Sequence, residues 1–94
     1  MGKWKSGIPQ LSKDGAVDMI MLLDQEGELG ATDLQKVKSN YYVALELAMS
    51  LEEIGLVDVE KITTPKVTYV IKLTAKGKNV AGKLREIRKI IGEG

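Results

Sequence analysis

Apolar residues recur at three- and four-residue steps through Ala16, Val17, Ile20 and Leu23, the spacing that lines one face of a helix. This predicts a first helix over about Ser12–Gln25, with Ser12 as N-cap, Asp14 in the first turn and Gly27 as its stop. Glu28-Leu29-Gly30 is long enough only for a stub of strand. Thr32 then caps a brief helix, Asp33 to about Val37, with Leu34 and Val37 facing inward. Lys38-Ser39-Asn40 interrupts the pattern, and either Ser39 or Asn40 can cap a third helix that continues to Ile54 and stops at Gly55. Two helices joined by a turn of about three residues form a helix-turn-helix.

Beyond Gly55 the pattern changes. Leu56–Ile62 and Val67–Leu73 are rich in β-branched residues and partly alternate, which predicts two antiparallel strands. The loop between them, Thr63-Thr64-Pro65-Lys66, places its proline where no ladder hydrogen bond is needed. Thr74 can cap a last helix, about Ala75–Ile91, whose Val80, Leu84, Ile87 and Ile91 keep a helical stripe. Residues 1–11 have no periodicity and form a flexible lead-in, with Trp4 as its one sticky side chain. Residues 12–94 then make one α+β domain of three helices, a two-stranded β wing and a long C-terminal helix.

Composition narrows the chemistry. The 94 residues include no cysteine and no histidine, which removes disulfides, the usual zinc ligands, thiolate nucleophiles and the side chain most used for proton transfer near neutral pH. No carboxylate pair stands out in an apolar setting, so no catalytic residue, metal site or cofactor is expected. The longest apolar runs, such as Met19–Leu23, span five residues against the roughly 20 needed to cross a bilayer, so a cytoplasmic protein without membrane contact is expected. The net charge of +1 hides a segregation: residues 14–60 carry two lysines against eleven acids, while residues 61–94 carry nine basic residues against two acids. Such asymmetry suits a polyanion-binding surface, or an acidic surface that meets a basic one between subunits.

The order of elements, with Leu51-Glu52-Glu53-Ile54-Gly55-Leu56-Val57 and Ile71-Lys72-Leu73-Thr74-Ala75-Lys76-Gly77, resembles the winged helix-turn-helix transcriptional regulators related to the MarR and PadR families. The resemblance covers roughly residues 12–91. It likens the first segment to the end of a recognition helix entering the wing, and the second to the return strand entering the final helix. The residues support it physically: Gly55 suits a left-handed helix end, and Gly77 permits close approach of another element.

The resemblance implies a DNA-binding regulator whose third helix enters the major groove while the wing reaches phosphates. Candidate contacts are Lys36 and Lys38 for phosphates, Ser39, Asn40, Tyr41 and Tyr42 at the helix start, and Lys61, Thr63, Thr64 and Lys66 on the wing. Each has a plainer alternative, since Ser39 or Asn40 can simply cap the helix, one tyrosine can be core, and a hairpin tip carries charge to resist edge pairing. Steps of about 100° per residue place Asn40, Ala44, Leu47, Ala48, Leu51 and Ile54 toward the core and Tyr42, Leu45, Glu46, Met49 and Glu53 outward. Glu46 and Glu53 depart from the polar or basic residues such a helix commonly presents. Tyr42, Leu45 and Met49 therefore also offer a patch for a protein partner, so a protein-interaction module is the alternative to a DNA reader. Val80, Leu84, Ile87, Ile90 and Ile91 run along a helix whose distal half extends past one small domain, and a homodimer through this helix is expected, the alternative being that the stripe packs wholly against the first helix of its own subunit.

Overall fold

The computed structural model describes residues 4–93. Helices α1 (Ala16–Glu26), α2 (Ala31–Leu34), α3 (Tyr41–Glu53) and α4 (Ala75–Glu93) surround a sheet of β1 (Glu28–Leu29), β2 (Val57–Ile62) and β3 (Thr68–Leu73). The sheet is antiparallel in the order β1-β3-β2, with Leu29 opposite Ile71 and Val59 opposite the same residue from the other side. The expected stub thus becomes a third strand. Its two residues pair with β3 because Leu29 is wholly buried and needs the sheet to satisfy its backbone.

The core is formed by Met19, Ile20 and Leu23 of α1, Leu34 of α2, Ala44, Leu47, Ala48 and Leu51 of α3, Leu56 and Val57 at the start of the wing, Ile71 of β3 and Ala81 of α4. No polar or charged side chain is buried among the described residues.

Three expectations are corrected. The first helix begins at Ala16, not near Ser12: residues 9–14 form turns, Ser12 N–H donates to Pro9 O at 3.1 Å, and Gly15 precedes the helix with φ 88°. That left-handed turn, open to glycine at little cost, lets Leu11 fold onto the core, and Asp14 stands before the helix instead of within it. The second helix spans Ala31–Leu34 and starts from Gly30, not Thr32, because the Asp33 carboxylate accepts from Gly30 N–H at 3.2 Å. Leu45, expected outward, is only 8% exposed. Helix α3 packs against α1, α2 and β2, so its buried arc is wider than a single stripe.

The two segments that carried the family resemblance form one joint. Helix α3 ends as expected at Gly55, φ 78°, where Leu56 N–H returns to Leu51 O at 3.0 Å. Thr74 then donates its backbone N–H to Leu56 O at 3.0 Å and its hydroxyl to Gly55 O at 2.6 Å, while Lys76 Nζ donates to Ile54 O at 2.8 Å. The same Thr74 hydroxyl caps α4 by accepting from Gly77 N–H at 3.0 Å. Gly77 lies so close to Leu56 that an added Cβ would stand 1.9 Å from its carbonyl oxygen. The end of α3, the start of the wing and the start of α4 are therefore locked together, which fixes the wing relative to α3.

Candidate nucleic-acid interface

Helix α3 begins at Asn40, whose Oδ1 accepts from Tyr42 N–H at 2.9 Å and Val43 N–H at 3.3 Å. Of the two predicted caps it is Asn40 that serves. Ser39 stays exposed, and its carbonyl accepts from Gln35 Nε2 at 3.3 Å. The two tyrosines divide their roles. Tyr41 is half-buried against the core, and burial, then the nearby Tyr69 and Tyr42, push its phenol up from the ordinary value. Tyr42 is 74% exposed and meets the Tyr41 ring edge-on, with centroids 5.5 Å apart.

Lys36 and Lys38 both meet carboxylates. Exposed Lys36 pairs with Asp33 at 3.3 Å, and this contact, after the Gly30 N–H, holds the Asp33 carboxyl below the usual carboxylate range. Lys38 pairs with Asp14 and is half-buried, its stem packed beside Gly15. On the wing, Lys61, Thr63, Thr64 and Lys66 are all exposed, and neither lysine takes part in an ion pair among the described residues. Glu52 accepts from Val59 N–H at 2.9 Å on the edge strand β2, tying the wing's root to one flank of α3. A shallow groove lined by Thr32, Gln35, Tyr41, Val67 and Thr68 runs between α2 and the tip end of the wing.

The outer face of α3 carries Tyr42, Glu46, Met49 and Glu53, with Val43 beside them, all exposed. Its own charge is negative, so positive potential near this helix comes from neighbouring elements. Reading α3 alone misses one of these: Lys13, from the turns before α1, lines a cleft with Asp14, Lys38, Val43, Glu46 and Leu47. The signal for it was the lysine content of the first residues, without which the turn at Gly15 would bring nothing basic to α3.

Along α4, Val80 and Leu84 are half-buried against the core, whereas Ile87, Ile90 and Ile91 are exposed. Leu84, Ile87 and Ile91 line an open groove with Val17 and Met21 of α1, and Arg85 Nε pairs with Asp24 of α1 at 3.0 Å. No cluster of metal-binding side chains occurs among the described residues, and no helix of the structure is long and apolar enough to cross a membrane.

No protein-family model matches the chain, and no curated protein matches its sequence. Its fold does match solved structures. A transcriptional regulator homologue from Pyrococcus horikoshii OT3 superimposes with a TM-score of 0.74 at 21% identity, covering 95% of this chain and 89% of that one. The adhesin competence repressor AdcR from Streptococcus pyogenes gives 0.69 at 24% identity over 86% of this chain, which spans 59% of the repressor. ZitR from Lactococcus lactis gives 0.69 at 20% identity, with 93% of this chain and 68% of that one covered. At these identities the likeness establishes the fold: the chain has the winged-helix architecture of these regulators.

Proposed function

We propose that this winged-helix chain is a DNA-binding transcriptional regulator, a homodimer that sets α3 and the wing of each subunit against duplex DNA, and that it is not an enzyme. The observation that carries the reading is the wing tip, where Lys61 and Lys66 flank two threonine hydroxyls without carboxylate partners among the described residues, and where the adjoining Val67 and Thr68 share a groove with Tyr41 at the start of α3. Ammonium groups and hydroxyls in that arrangement fit phosphate oxygens. Ser39, Asn40 and Tyr42 reach the sugar-phosphate edge from the start of α3, and Tyr41 supports the Tyr42 ring. Lys36 contributes through a surface pair that is readily exchanged for phosphate, since exposed pairs are worth about 0–1 kcal/mol. Lys38 pins the turn before α1 and contributes charge at short range. The regulators that share the fold are consistent with this reading.

A second reading, a protein-interaction module, is favoured by the exposed face of α3, where Val43 and Met49 stand with Tyr42, Glu46 and Glu53. One experiment separates the two. Binding of a fluorescent random-sequence duplex is measured at two salt concentrations; phosphate contacts make log affinity fall with log salt by about 0.9 per contact. Salt-sensitive binding that weakens in Lys61→Ala/Lys66→Ala supports the DNA reading. Absence of binding at low salt rejects it and leaves the interaction module.

A further inference from the structure

The outer face of α3 presents two glutamates and no cation, so a duplex seated on it has to be held from the helix's flanks. With about 100° between successive residues, Glu52 projects toward one flank, where it binds β2 at the root of the wing, and Val43 and Leu47 project toward the other. The wing lysines serve the first flank. On the second, Lys13 shares a cleft with Val43, Glu46 and Leu47 and with the paired Asp14 and Lys38. The residues before it continue the same surface: Trp4, Lys5, Ser6, Pro9, Ser12 and Lys13 line one depression, with Trp4 84% exposed. Neither Lys5 nor Lys13 pairs with a carboxylate among the described residues, and residues 4–13 contain no acid.

The turns that replace the expected first helical turn are what make this arrangement. A helix running from Ser12 would carry the lead-in along its own axis. Instead the chain turns at the left-handed Gly15, which lies close to the side chains of Val37, Lys38 and Leu47, and Lys13 stands beside α3. Asp14, the acid that would otherwise offset Lys13, is taken by Lys38.

We propose that the N-terminal segment, residues 4–13, is a second nucleic-acid contact that clasps a duplex from the side of α3 away from the wing, with Lys5 and Lys13 on backbone phosphates and Trp4 against the sugar edge. This rests on the DNA-binding reading. It makes the binding surface three-part, wing, α3 and N-terminal segment, with the cations on the outer two parts and the acidic helix between them.

The test compares the wild-type chain, Lys5→Ala/Lys13→Ala and Lys61→Ala/Lys66→Ala in titrations of a fluorescein-labelled random-sequence duplex over a salt series. Far-UV circular dichroism melts serve as the check on folding, which substitution of exposed lysines leaves unchanged. Loss of two phosphate contacts makes the log-log salt slope of Lys5→Ala/Lys13→Ala shallower by about 1.8 than that of the wild type. Trp4, the one tryptophan of the sequence, also reports the segment directly, and its emission is expected to change as duplex saturates the protein. A salt slope unchanged in Lys5→Ala/Lys13→Ala, with the wing variant weakened, overturns this inference and leaves the proposed function standing. A wild-type chain that binds no duplex at low salt overturns both.

Discussion

At Gly77 the absence of one methyl group decides whether two elements can meet. A Cβ there would collide with the Leu56 carbonyl, a backbone atom that cannot rotate away and that already accepts from Thr74 N–H. Gly77→Ala ordinarily gains helix propensity, up to about 1 kcal/mol, but here overpacking dominates and a net loss of about 1–3 kcal/mol is expected. Urea denaturation monitored by circular dichroism measures it, and a more stable variant would contradict the packing described. Asp33 illustrates an electrostatic effect at the same scale. Its carboxyl is held below the usual range by Gly30 N–H and then by Lys36, so the folded state favours the carboxylate. The stabilisation is fully present above the ordinary carboxylate pKa and is lost as pH falls through the lowered folded value. Carboxyl chemical shifts followed by NMR are expected to give Asp33 a lower midpoint in the folded protein than in an unfolded peptide of the same sequence. Asp33→Ala removes that difference together with the cap of α2.

Among the elements, α3 depends most on its ends. Asn40 satisfies two amides at the N-terminus, and Thr74 and Lys76 reach the carbonyls just past its C-terminus. Asn40→Ala is expected to cost about 1 kcal/mol, the usual loss of a side-chain N-cap, whereas Asn40→Ser retains most of it; chemical denaturation of both variants checks this. The cap was legible because a short polar side chain before an apolar-periodic run has few other uses. The start of α1 was not. Ser12 and Asp14 have the residue types of a helix beginning, yet Gly15 interposes a left-handed turn whose value lies in packing Leu11 and Lys38, contacts from outside the segment. Leu45 failed for a related reason. Periodicity gives the angle of a side chain about its helix, but three neighbouring elements determine how wide the buried arc becomes.

For the whole molecule, the exposed end of α4 is the feature that bears on the proposed homodimer. Ile90 and Ile91 are 66% and 73% exposed, and Ile87 and Ile91 line the groove between α1 and α4. A homodimer that buries this surface is expected to sediment as twice the chain mass at tens of micromolar, and Ile87→Glu/Ile91→Glu is expected to sediment as a monomer with its helix content retained. A monomeric wild-type protein under those conditions would reject the dimer. Since Val80 and Leu84 already pack within their own subunit, their replacement is expected to lower stability as well as association.

What the sequence determined by itself was the set of elements, their order and most of their stops. Hydrophobic period, caps, Gly55 and the two segments Leu51–Val57 and Ile71–Gly77 are local features, readable wherever a short stretch must satisfy its own backbone and bury one face. What only the tertiary structure decided was which distant residues share a surface: the joint of Leu56 with Gly77, the burial of Leu45, the pairing of Lys38 with Asp14 and the approach of Lys13 to α3. Those depend on how neighbouring elements close around one another, and residues far apart along the chain carry no local trace of the contact they will make.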